Sequence, residues 1–169
     1  KVFAVGVAKA KSHELMQTFS GILTAITHVE MNLHNGYMGK FNVKPDELGN
    51  SARSLDNLSY TSYMLRVAYE AGEVEILAAI LSCAISYEYI ANNIVKNNPK
   101  ATEHELYGEW VSCYSGEEYA ANNRSLTETF NRLAVDYSDK QMAELSEIFR
   151  RCSQYELDFW EMGWNKAMV

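Results

Sequence analysis

Apolar side chains recur at three- and four-residue steps along almost the whole chain, and no stretch of useful length alternates as a strand would. That single periodicity leaves one fold class open, an all-α bundle whose helices bury their apolar faces against one another. Only two prolines interrupt the 169 residues, so long helices are allowed. The length suits one domain over residues 1–169 and is enough for a substantial core.

Residues 2–12 read as the second half of a helix entered midway, with Ser12 capping the next. From His13 to about Phe41, Leu15, Phe19, Ile22, Ile26, Val29, Leu33 and Tyr37 keep helical spacing, with Gly21 and Gly36 as points of kinking or ending. Residues 44–51 read as a connection opened by Pro45 and closed by Gly49. Helices follow from about Ser54 to Tyr69 and from Glu73 to Asn97, the latter stopped by Asn97-Asn98-Pro99. Three capping boxes then open the remaining helices: Thr102 with Glu105, Ser115 with Glu118, and Ser138 with Gln141. The first runs through Trp110 and Tyr114, the second to about Asp136, the third to about Ala167.

A net charge of −7 disfavours nucleic acid and anionic membrane surfaces, which would repel the chain. No segment reaches the roughly 18 uninterrupted apolar residues of a membrane span, and no signal peptide is visible. Cys83, Cys113 and Cys152 are an odd, widely spaced set without a CxxC pair, which argues against a disulfide framework and a zinc site. A reducing cytoplasm is the expected home. The chain opens at Lys1 directly on the helix-like Val2-Phe3-Ala4-Val5, so a preceding natural portion is expected.

Chemistry concentrates on the apolar segment around Cys83. Ile76, Ile80, Cys83, Tyr87 and Ile94 share one helical face, which sets a thiol one turn from a phenol. A cysteine there can equally pack as a small hydrophobe. On the last helix, Glu156, Phe159 and Trp160 sit at i, i+3 and i+4, so the aromatic pair draws the carboxylate inward. An inward carboxylate needs a partner or a raised pKa, and in the second case serves as an acid or base; a structural bond to a tyrosine or histidine is the alternative. Tyr60, Tyr63, Tyr87, Trp110, Tyr114, Phe159 and Trp160 all fall on inward faces, and their polar tips would suit a flat heterocycle. A thiol with an acid–base partner fits covalent catalysis. Glu30 and His34 are one turn apart, a spacing open to metal, but the several Glu-x-x-His pairs of a bundle metal cage are missing, and a hydrogen-bonded structural pair is the plainer reading. Phosphate loops, Ser-His-Asp order and dinucleotide fingerprints are absent.

Tyr60-Thr-Ser-Tyr-Met-Leu65, Leu77-Ala-Ala-Ile-Leu-Ser-Cys83 with Tyr87, Tyr107-Gly-Glu-Trp110 with Tyr114, and Glu156-Leu-Asp-Phe159-Trp160 together resemble the TenA family, also called thiaminase II. Glu30-Met-Asn-Leu-His34 resembles a further family stretch. The resemblance implies a haem-oxygenase-like helical bundle assembled as a homotetramer. It implies hydrolysis of an aminomethyl-substituted aminopyrimidine, or of thiamine, to hydroxymethylpyrimidine, with no cofactor and no metal. Cys83 is then similar to the nucleophile that adds to the pyrimidine ring, and Glu156 to the acid that protonates a ring nitrogen. Tyr60, Tyr87 and Tyr114 resemble phenols that bind the thiol or the substrate, and Phe159 a stacking wall. The family's Asp that holds the pyrimidine amino group falls before residue 1, and its Glu after the Tyr87 position more often stands one place beyond Glu88. Competing expectations are a pyrimidine-binding or regulatory protein of the same fold and an oxygenase using His28 or His34.

Overall fold

The structure, a computed structural model, describes residues 1–44, 46–47 and 52–166. Eight α-helices are set out within them: α1 (Val2–Lys9), α2 (His13–Ala25), α3 (Met31–Lys40), α4 (Leu55–Glu70), α5 (Glu73–Asn97), α6 (Gly108–Ser115), α7 (Glu117–Leu133) and α8 (Asp139–Asn165). A π-helical turn, Ile26–Glu30, joins α2 to α3, and a 3₁₀ turn, Pro99–Glu103, follows α5. No strand occurs among the described residues, as the periodicity predicts. The expected Pro45 and Gly49 turn positions lie outside them.

α5 is the axis of the bundle. It packs against α1, α4, α6, α7 and α8. Its first ten residues explain why: all of residues 73–82 except Glu75 are buried. Ile76, Leu77, Ile80 and Leu81 meet Leu15, Phe19, Ala68 and Leu126 in the main cluster. Ala79 enters a second with Tyr60, Val67 and Cys152, and Val74 and Ala78 a third with Ala134 and Leu145. An 18-residue window of α5 has a mean hydropathy of 1.6, enough by composition to suit a membrane. Here half of that window is instead buried inside the bundle. The approach of α1 to α2 depends on Gly6, where a Cβ would stand 2.9 Å from the Phe19 ring.

The caps divide. Ser12 accepts the Leu15 amide at 3.1 Å, Ser54 the Asn57 amide at 3.2 Å and Ser138 the Gln141 amide at 3.4 Å, with Gln141 returning a bond to the Ser138 amide. The box at Thr102 does not form. Pro99 fixes its own backbone and starts a 3₁₀ turn capped by Asn98, which places Thr102 inside that turn. His104 Nδ1 then accepts the Leu106 and Tyr107 amides, and α6 begins at Gly108. Nor does Ser115 cap α7. Its hydroxyl donates back to the Val111 carbonyl at 2.7 Å, and Gly116 takes the N-cap position.

Gly21 and Gly36 do not end their helices. The irregularity lies between them, in the π turn. Within it Val29 is 66% exposed, while Glu30 stands on the less exposed side with Leu33 and Tyr37. The turn therefore presents a carboxylate on the face that looks toward α6.

Candidate active site

Cys83 stands where α5 leaves the core, half-buried, directly after the fully packed Ser82. Facing it from α8 is Glu156, 5% exposed. The Glu156 carboxylate acts electrostatically on the Cys83 thiol. From α4, the Tyr60 hydroxyl donates to Glu156 Oε1 at 2.8 Å. Thiol, carboxylate and phenol, drawn from three helices, thus share one buried spot. Burial pushes the Cys83 thiol well above its ordinary range, and the Glu156 carboxylate pushes it further. The resting sulfur therefore carries its proton. The Tyr60 hydroxyl is likewise driven up, first by burial, then by Cys83 and Glu156.

Beyond Cys83 an aromatic wall continues. Tyr87 lies one turn on, with its ring 4.9 Å from Tyr114, 5.8 Å from Trp110 and 5.6 Å from Trp160. Trp110 and Tyr114, one turn apart on α6, have ring centroids 4.9 Å apart. Tyr119 of α7 meets Tyr114 edge-on at 4.9 Å. Burial raises the hydroxyls of Tyr87, Tyr114 and Tyr119, and Cys83 adds to the shift of each. Phe159 is half-buried, three residues after Glu156, and its ring meets Trp160 edge-on at 6.3 Å. Trp160, expected inward, is 38% exposed and forms the rim. Tyr63, also expected inward, packs on Tyr155 at 5.5 Å with Arg66 and Arg151 over its ring, away from the thiol.

Three polar contacts tie the π turn and α3 to α6. The Tyr114 hydroxyl donates to Glu30 Oε1 at 3.4 Å, the Trp110 amide donates to the Tyr37 hydroxyl at 3.1 Å, and Lys40 pairs with Glu109 at 3.4 Å. Asn123 of α7 fixes the outer half of α5 by donating to the Ala84 carbonyl at 2.8 Å and to Glu88 at 2.7 Å. Glu88 is therefore held outside the thiol–carboxylate cluster. Cys152 is fully buried against Tyr60, Val67 and Ala79, its thiol pushed up to about 12 by burial. Cys113 is exposed.

The sequence pattern brought Cys83, Glu156, Tyr60, Tyr87 and Tyr114 to the site, and the structure gathers these five. It adds Glu30 and Tyr119. Glu30 was masked by its pairing distance to His34, and Tyr119 by a helix break between it and Tyr114. His34 Nε2 lies 3.7 Å from Glu30 Oε1. No group of three His, Cys, Asp or Glu able to hold a metal occurs among the described residues. His28 Nδ1 lies 2.9 Å from Thr27 Oγ1 and 3.1 Å from the Thr24 carbonyl, bonds within its own helix. Two surface hollows of about 270 and 250 Å³ lie elsewhere, the first lined by Leu81, Phe130 and Phe149, the second by Arg150 and Tyr155.

Residues 1–166 match the profile of the TENA/THI-4/PQQC family. The chain is 38% identical to an aminopyrimidine aminohydrolase of Helicobacter pylori over 164 residues, 97% of this chain and 75% of that protein. It is 35% identical to an aminopyrimidine aminohydrolase of Halalkalibacterium halodurans over 168 residues, 99% of this chain and 75% of that protein. Among solved structures, a TenA homologue from P. horikoshii OT3 superposes with a TM-score of 0.84 at 26% identity, over 98% of this chain and 75% of its own. The helical bundle is thus the haem-oxygenase-like fold of such proteins.

Proposed function

The chain belongs to the TENA/THI-4/PQQC family, and from that premise we propose that it is an aminopyrimidine aminohydrolase of thiamine salvage, with Cys83 as nucleophile and Glu156 as proton carrier. The observation that carries this reading is the buried Glu156 carboxylate, which accepts the Tyr60 hydroxyl at 2.8 Å and whose charge acts on the Cys83 thiol. A thiol held protonated beside a carboxylate is suited to addition in which sulfur and proton travel together.

The proton passes from sulfur to Glu156 and on to a ring nitrogen, while sulfur bonds to the adjacent ring carbon. The C=N bond has then taken up one S–H. The electron-rich adduct expels the substituent on the exocyclic methylene, as ammonia from the protonated aminomethyl group or as neutral thiazole from thiamine. Water adds to the methylene and gives up a proton. Glu156 then removes the ring N–H proton as the C–S bond breaks and returns it to the departing sulfur, and the ring regains its aromaticity. Tyr60 occupies Oε1, which leaves the other carboxylate oxygen for these transfers. Tyr87 and Tyr114 line the ring's approach, and Phe159 is the stacking surface.

This reading also gives a cytoplasmic, reducing home, supported by three unpaired cysteines. A homotetramer is supported by large exposed apolar side chains such as Val29, Met31, Val135 and Trp164; sedimentation at monomer mass would overturn it. The activity is tested by ammonia release from 4-amino-5-aminomethyl-2-methylpyrimidine. The parent releases ammonia, and Cys83→Ser loses about 10³-fold or more while staying folded. Binding without release by the parent would instead identify a non-catalytic pyrimidine-binding protein.

A further inference from the structure

Glu30 is the carboxylate that meets the aromatic wall beside Cys83, and its ion pair is with a histidine. Among the described residues, every other ion pair joins a carboxylate to lysine or arginine, as Glu109 is joined to Lys40 and Glu14 to Arg132. Glu30 has only the half-exposed His34. It is turned toward α6 by a π turn, an irregularity that costs helix regularity and so calls for a reason. Its Oε1 receives the Tyr114 hydroxyl, and the Tyr114 ring meets Tyr87, which lies one turn from Cys83. Trp110 and Trp160 extend the same ring cluster. A carboxylate without a strong cationic partner, 40% exposed, next to several indole and phenol rings, is the chemistry that receives an organic cation. Its negative charge reaches Cys83, Tyr87 and Tyr119 as well.

We infer that Glu30 and the Tyr114–Tyr87–Trp110 rings form a subsite for the positively charged group on the substrate's methylene, an ammonium or a thiazolium. The inference rests on the aminopyrimidine reading above. It assigns the two carboxylates different ends of the ligand: Glu156 the ring, Glu30 the leaving group. The cation loses its charge as it departs, so Glu30 favours the bound substrate over the neutral hydroxymethyl product and assists exchange of one for the other.

The test measures calorimetric binding of two ligands to Cys83→Ser, which consumes neither, with and without Glu30→Gln. One is the aminomethyl pyrimidine, an ammonium at neutral pH; the other is its neutral hydroxymethyl counterpart. Glu30→Gln should weaken the ammonium ligand about fivefold, the size of one partly solvated charge contact, and leave the hydroxymethyl ligand unchanged. Retained binding of the neutral ligand also reports that the variant is folded. Equal weakening of both ligands, or no change in either, overturns the subsite alone. Failure of both ligands to bind before Glu30 is altered overturns the aminopyrimidine reading and the subsite with it.

Discussion

The two halves of α5 are one continuous helix put to opposite uses. From Glu73 to Ser82, every residue but Glu75 is buried. From Cys83 to Asn97, only Ala91 is. The first half meets helices on all sides and has apolar residues nearly all round. The second keeps one side for the thiol and Tyr87 and carries Glu88, Tyr89 and Asn92 among the rest. Cys83 sits at the join, so the nucleophile stands on the last rigid turn of the core while facing groups that exchange protons. A helix fixed at one end by packing offers precise placement without a loop to hold the reacting atom.

Substitutions in the two halves should therefore separate stability from chemistry. Leu77→Ala removes a fully buried side chain from the inner half and should cost about 3 kcal/mol of unfolding free energy, read by urea denaturation. Turnover per folded molecule should persist; its loss at full folding would show that the halves are coupled rather than distinct. Tyr60→Phe works at the join. It deletes the donor to Glu156 Oε1 and leaves a buried carboxylate short of a bond, at about 1–2 kcal/mol of stability. It should also lower kcat about tenfold, since the proton carrier loses its orientation. A variant that loses stability but keeps kcat would make Tyr60 a packing residue only.

How far the sequence foretold this arrangement follows the same division. Period and capping residues located α5, the inward Cys83 and Glu156, and the caps at Ser12 and Ser138, because local backbone chemistry decides all of these. They misplaced Thr102 and Ser115, where Pro99 and a hydroxyl turned back on its own helix competed with the cap. Glu30 was harder. A π turn adds one residue to the repeat, and nothing in the apolar spacing of residues 13–41 announces the addition. Val29 and Glu30 both keep helical steps from Ile26 to Leu33; Val29 is exposed and Glu30 faces the site. Tyr119 came from another helix, and only packing could bring its ring to Tyr114. Tertiary convergence of polar groups is thus least visible where helix register changes.

The groups most strongly pushed upward by burial cluster at the join and along the outer half: Tyr60, Cys83, Tyr87, Tyr114, Tyr119 and, behind them, Cys152. Each is protonated in folded and unfolded chains at neutral pH. As pH passes the ordinary thiol value near 9, the unfolded chain releases protons that the folded chain still holds. The unfolded state then binds fewer protons, so rising pH favours it. Stability is complete below that point and declines above it, until the folded groups titrate as well, near 12 for Cys152. Between pH 7 and pH 9 the loss should be small, about 1 kcal/mol over all six groups, and it should steepen beyond. Urea midpoints at the two pH values measure it, and Cys152→Ala should flatten the slope, because it removes a buried thiol that contributes to stability but takes no part in turnover. A slope that Cys83→Ser flattens while Cys152→Ala leaves it intact would place the whole alkaline response at the reacting thiol and leave the core half of the helix indifferent to pH.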